Sequence, residues 1–221
     1  GADYFAQRPW LLDLSSWAAP GCGVRQPREA RWMGDFGTGN GHVFALCGYA
    51  CPLNTLHTMV GPDYQQESEF FHDTWVRLDP APAACDAGWM HRVRRTAVLV
   101  GTERFGELEL ATITFAPVGT GPADPVRRAL VRVVVVHNHG DTPSDPLALV
   151  TEHGDETRAG RTRRLVVLAP GGAADPVRVE LGTIEPGAER KVVFAYVTSV
   201  GGSGEQETID ALRTAGADAL A

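Results

Sequence analysis

Lysine is almost missing from this chain: Lys191 is the only one, and arginine supplies the rest of the 20 basic residues. Acidic residues outnumber them at 27, for a formal net charge of -7. A nucleic-acid partner calls for a basic face that displaces counterions, and this balance argues against one. No apolar run approaches the roughly 18 residues of a membrane span. The longest, Ala129 to Val136, is interrupted by Arg132 and reads as a strand. The first residues carry neither a basic n-region nor an apolar h-region, so a signal peptide either never existed or has been removed. Secreted, periplasmic and cytoplasmic locations all stay open.

Motifs of the common chemistries are missing as well. There is no Gly-x-Ser-x-Gly elbow, no Cys-x-x-Cys pair and no His-Glu-x-x-His. The glycine-rich segment Gly37 to Leu46 lacks the Lys-Ser/Thr and the helix that a phosphate cradle requires, so it reads as a tight Gly/Asn turn feeding a strand. Four cysteines, Cys22, Cys47, Cys51 and Cys85, permit two disulfides without requiring them. Cys47 and Cys51 reach each other only if Gly48 to Ala50 forms a turn, since residues four apart on a strand lie ~13 Å from one another. Neither a metal nor a cofactor is expected.

What is present is a β cadence. Residues 1–40 are irregular, rich in Pro, Gly and Trp. Beyond them, short β-branched runs recur between turn residues, and strands are expected near 42–49, 54–60, 70–78, 91–100, 106–116, 129–138, 146–153, 163–169, 176–184 and 190–199. Val177, Val179 and Leu181 alternate with Arg178, Glu180 and Gly182, and Glu185-Pro186-Gly187-Ala188 suits a type II turn. A hairpin with a return strand from Lys191 to Val200 follows from that pattern. The stretches around 117–125 and 140–146 read as loops. After Gly201-Gly202-Ser203-Gly204, a capping box of Ser203 with Gln206 opens a helix over about 205–220, with Ile209, Leu212, Ala215 and Ala219 near one face. The fold class is all-β: a large antiparallel β-sandwich over residues 1–200. Residues 201–221 are expected to be a linker and helix that leads towards a further domain.

Several residues are candidates for chemistry or contact. His137 and His139, two apart, share one face of a strand, and His42, Cys47, Cys51 and His57 are zinc-type side chains without zinc-type spacing. Carboxylates pair in sequence at Glu67 with Glu69, Asp73 with Asp79, and Glu152 with Asp155. Glycoside hydrolysis needs two, one to donate a proton and one to act as base or nucleophile. All five tryptophans, Trp10, Trp17, Trp32, Trp75 and Trp89, fall in the first 90 residues. Large aromatics stack on sugar rings, anchor interfaces or fill cores. Turns rich in Gly and Asn present polar groups at an edge, which adds Asn40, Asn54 and His57 to Trp32 and Trp75 as carbohydrate or interface candidates.

The run Met33-Gly34-Asp35-Phe36-Gly37-Thr38-Gly39-Asn40-Gly41-His42-Val43-Phe44-Ala45-Leu46, with Pro52-Leu53-Asn54-Thr55-Leu56 and Val60-Gly61-Pro62, resembles the opening of bacterial enzymes built on a six-hairpin helical toroid. These are glucoamylase-like glycosidases, glycogen-debranching-type enzymes and the maltose and cellobiose phosphorylases. The tail from Val179 to Gly187, followed by a strand and an Ala/Glu-rich helix, is similar to the close of their N-terminal β-supersandwich. The resemblance implies a supersandwich domain whose catalytic carboxylates lie elsewhere, in a helical domain that would be its partner. It therefore assigns no catalytic residue here, and the chain alone is not expected to be an enzyme. The competing reading is a self-standing carbohydrate-binding β-sandwich with an oligo- or polysaccharide as its ligand.

Overall fold

The computed structural model describes residues 23–26, 35–50, 55–61, 71, 74–82, 87–93, 96–158, 160–169 and 177–216. Its strands in the first half are β1 (Gly23–Gln26), β2 (Asp35–Gly39), β3 (Phe44–Ala50), β4 (Thr55–Gly61), β5 (Thr74–Asp79), β6 (Ala87–Arg92) and β7 (Leu99–Phe105). The second half adds β8 (Leu108–Phe115), β9 (Ala129–Asn138), β10 (Leu147–Glu152), β11 (Glu156–Arg158), β12 (Arg161–Ala169), β13 (Arg178–Gly182) and β14 (Glu189–Val200). One α-helix, α1 (Glu205–Ala215), and a 3-10 turn at Pro125–Arg128 complete the described elements. The chain is mostly β.

The strands form two antiparallel sheets. The larger has eight, in the order β1-β6-β7-β8-β9-β14-β12-β11, and the smaller has six, in the order β13-β10-β5-β4-β3-β2. A core of Leu99, Phe105, Leu110, Leu130, Val134, Val136, Phe194 and Tyr196 from the eight-stranded sheet meets Val76, Leu78, Leu149, Val179 and Val43 from the other side. The opposite face of the eight-stranded sheet is apolar too. There Ala111, Ile113, Val131, Val133, Val193, Ala195 and Val197 form a second cluster with Val126, Ile209 and Leu212. That is why β9 reads as an almost unbroken apolar run: both of its faces are covered.

The expected irregular segment 1–40 contains two strands, β1 and β2, where it is described. Gly39 serves β2 because a Cβ there would lie 2.8 Å from the Val43 carbonyl oxygen. The expected single strand over 91–100 is two, β6 and β7, parted by a turn in which Thr96 caps Val93 and Val98. β11, a three-residue strand, went unforeseen because Glu156, Thr157 and Arg158 carry no apolar signal.

The proposed hairpin over 177–200 is corrected. Its turn forms, with Gly187 at φ 69° and the Ala188 N–H donating to the Glu185 carbonyl at 2.9 Å. The two strands nonetheless belong to different sheets: β13 pairs with β10, while β14 pairs with β9 and β12. Ile184, fully buried, plugs the crossing, and the buried Asn138 amide donates to its carbonyl at 2.9 Å.

The C-terminal helix is seated on this domain's own sheet. Ile209 and Leu212 are buried in the outer cluster, the Thr208 hydroxyl donates to the Pro125 carbonyl at 3.1 Å, and Glu205 pairs with Arg164 at 2.7 Å. The expected capping box is not made. The N-cap is Gly204, with no side-chain bond, and Gln206 donates instead to Asp210 at 2.9 Å. The positions of Ala219 and Leu220 lie outside the described residues.

Candidate functional site

The five candidate residues fare differently. Trp32 and Asn54 lie outside the described residues. Asn40 forms the turn between β2 and β3, and all its polar contacts are internal. Its Oδ1 accepts from the N–H groups of His42 at 2.9 Å and Val43 at 3.1 Å. Its Nδ2 donates to the carbonyls of Pro117 and, at 2.9 Å, Arg127. The Arg127 guanidinium returns a bond to the Asn40 carbonyl at 2.7 Å. Asn40 is therefore a clamp between the β2–β3 turn and the 117–128 loop rather than an outward contact group. Asn40→Ala is expected to cost about 1–3 kcal/mol, since it orphans partly buried backbone groups on both loops. Chemical denaturation checks this, and a change within ~0.5 kcal/mol would remove the clamp from the account.

His57 and Trp75 are brought together by strand pairing. They are direct partners across β4 and β5. The same row continues through Gly48 to Asp35 on one side and reaches Glu152 on the other. Five consecutive strands, β2-β3-β4-β5-β10, thus place Asp35, Gly48, His57, Trp75 and Glu152 in one line. On β5 the alternate positions Thr74, Val76 and Leu78 are buried in the core, so position 75 belongs to the opposite face with the exposed Arg77. Arg77 and Glu152 form an ion pair at 2.6 Å, with side chains 46% and 42% exposed. One rung away, Arg178 bridges Asp79 and, at 2.6 Å, Glu180.

The interior holds ionisable groups of another kind. Glu103 on β7 is fully buried, neither carboxylate oxygen has a hydrogen-bond partner, and burial pushes its pKa from 4.5 to about 8. Arg132 on β9 is buried beneath Tyr196, its guanidinium carbon 5.6 Å from the ring centroid, and it donates to Thr114 at 3.4 Å. The two are not paired. Register sets Glu103 level with Leu110 and Val136, and Arg132 level with Thr114, four residues along β9. Arg163 on β12 is also buried, and it binds the His153 and Gly154 carbonyls and Glu156.

The remaining candidates separate. Glu152 belongs to Arg77, while Asp155 accepts the Leu165 N–H at 2.6 Å, so they do not act as a carboxylate pair. His137 and His139 do meet, edge to face at 4.1 Å between ring centroids, with His139 Nε2 3.6 Å from a Glu109 oxygen and His137 Nε2 3.2 Å from the Gly187 carbonyl. Among the described residues, no three His, Cys, Asp or Glu side chains converge on a common ion position. The side-chain surroundings of all four cysteines, and the acids Glu67, Glu69 and Asp73, lie outside the described residues. The signal that reasoning on the sequence missed was Glu103: an acid in the middle of Leu99–Phe105 marks a polar group carried into a covered strand. No helix among the described residues is long and apolar enough to cross a membrane. Set against known protein families and against curated proteins, the chain matches none of them.

Proposed function

We propose that this chain is a non-catalytic β-sandwich domain of a glycoside hydrolase or related carbohydrate-active enzyme, which packs on the catalytic domain and shapes access to it. The resemblance of the Met33–Leu46 run and of the Val179–Gly187 tail supports the carbohydrate part of this reading. The arrangement of carboxylates carries the non-catalytic part. On the face of the eight-stranded sheet that meets the smaller sheet, the acids on described strands are the buried Glu103 on β7 and the partly buried Glu156 on β11, while the buried Glu109 on β8 lies on the opposite face beside His137 and His139. Five strand spacings separate β7 from β11, about 24 Å along the sheet at ~4.8 Å each. A glycosidase pair stands about 5–9.5 Å apart, with room between for a sugar or a water. Glu156 is in addition committed to Arg163 at 3.3 Å, and Glu103 is sealed from solvent.

The purified chain is accordingly expected to release no reducing sugar from α- or β-glucans and, with inorganic phosphate present, to form no sugar phosphate. Turnover that disappears in Glu103→Gln, or in any single-residue variant of this chain that stays folded, would overturn the reading.

A further inference from the structure

We propose that the interior between the two sheets holds a small monovalent anion, of chloride size, bound by the guanidinium of Arg132. This site is independent of the carbohydrate reading above. Arg132 stands on β9 between Leu130 and Val134, both members of the inner core, so its side chain enters the space between the sheets. The residue is 1% exposed. Among the described residues its side chain makes a single hydrogen bond, from Nε to the Thr114 hydroxyl, and at 3.4 Å that bond is longer than the usual ~2.7–3.2 Å. Its Nη1 is buried with no hydrogen-bond partner. Among the described residues no acid pairs with it either. Glu103 is level with Val136, four residues and ~13 Å along β9, and Glu156 is held by Arg163 at 3.3 Å.

The class of ligand follows from the charge and the burial. A guanidinium cannot shed its proton in a protein, so burial does not neutralise it. A buried charge without a counter-charge is among the costliest features a core can carry. The Tyr196 ring, 5.6 Å from the guanidinium carbon, eases that cost through its π face but brings no negative charge. Water would satisfy the Nη1 proton and leave the charge. An anion answers both. The surrounding polar side chains are donors: Thr114 is a hydroxyl, and the Tyr196 hydroxyl accepts from Thr74 on β5 at 3.5 Å, which leaves the phenolic proton to donate. A phosphate or an organic carboxylate would require an opening to solvent and several fixed donors. A halide is compact and accepts from any direction, which suits a guanidinium this deeply buried. The unfolded chain offers no such site, so a bound halide stabilises the fold.

The test is urea unfolding of the full chain while sodium chloride is replaced stepwise by sodium gluconate at constant ionic strength. The ratio of folded to unfolded protein is expected to rise with chloride and, above the dissociation constant, to grow about tenfold for each tenfold of chloride. Crystals grown in bromide should show an anomalous peak in contact with Arg132 Nη1. Arg132→Met keeps the apolar stem and removes the charge, so it should fold and lose the chloride dependence. Thr114→Val should weaken the dependence severalfold. Thr102→Val, on the opposite face of the same sheet, should leave it unchanged. Should Arg132→Met fail to fold, the wild-type titration and the bromide position decide without it. A wild-type midpoint that ignores chloride would overturn the proposal, as would full chloride dependence in folded Arg132→Met. Equal losses in Thr114→Val and Thr102→Val would also overturn it. So would a water at Nη1 with bromide only on the surface, which would mean an adventitious ion only.

Discussion

Raising the pH from about 5 to 8 is expected to destabilise the folded protein progressively, and Glu103→Gln is expected to remove most of that dependence. Glu103 sits fully buried with both oxygens unpartnered, and burial alone lifts its pKa from 4.5 to about 8. Between those values the native state keeps a proton that the unfolded chain has released. The native state binds more protons in that window, so stability falls as pH rises. The slope is about 1.4 kcal/mol per pH unit, and over the whole window it approaches about 5 kcal/mol. Below about pH 4.5 both states are protonated and this destabilisation vanishes; above about pH 8 it is complete. Urea unfolding at several pH values measures it directly. Glu103→Leu, which replaces an unpartnered acid by an apolar side chain among Leu99, Phe105 and Leu110, should raise stability most at the alkaline end. An unchanged pH slope in Glu103→Gln would mean that the carboxyl is hydrated or paired in solution.

Arg163→Met is expected to cost about 3–5 kcal/mol, the loss typical of removing one partner from a buried ion pair. The Arg163 side chain is completely buried and its guanidinium organises the β10–β11 turn. It donates to the carbonyls of His153 and, at 3.1 Å, Gly154, meets Glu156 at 3.3 Å, and lies 5.2 Å from the centroid of the Phe71 ring. The turn needs that support. His153 adopts φ 54°, a left-handed conformation uncommon outside glycine, and a Cβ on Gly154 would lie 2.6 Å from Leu165. Methionine fills the space of the stem but leaves two carbonyls and a carboxylate without their donor. Arg163→Lys keeps the charge yet lacks the planar fork that reaches three acceptors, so it should recover only part of the loss. Thermal or chemical denaturation decides, and a cost below about 1 kcal/mol would show that the turn holds its own shape. Arg163→Met/Glu156→Gln should cost less than the sum of the single changes, since the second removes the stranded charge.

Much of the site remained hidden in the sequence because pairing is not a local property. His57 and Trp75 stand eighteen residues apart, and nothing between them indicates that β4 and β5 bring them opposite each other. Glu152 joins the same row only because β10 adds to the edge of β5. Asn40 was legible as a turn residue, since Gly-Asn-Gly favours that geometry, and the turn is there. Its use as a clamp on Arg127 and Pro117 depends on a loop 77 or more residues away. His137 and His139 were legible as neighbours because their separation of two is a local fact about a strand.

Local chemistry determined a good deal by itself. Alternation at Arg178–Gly182 dictated which side of β13 is buried, and Val179 and Leu181 are. The Glu185–Ala188 turn forms as Pro and Gly require, and the strands β3, β4, β8, β9, β10, β12 and β14 all fall where β-branched runs predicted them. Only the tertiary structure decided partners. A period of two specifies a face but not a neighbour, so β13 and β14, joined by a sound turn, separate into different sheets around the buried Ile184. Helical periodicity likewise identified α1, while the apolar outer face of β9 and β14, already buried on its other side, decided that Ile209 and Leu212 pack there. The same burial gave Glu103 its raised pKa: an isolated glutamate titrates as any other, and removal from water by the two sheets shifts it.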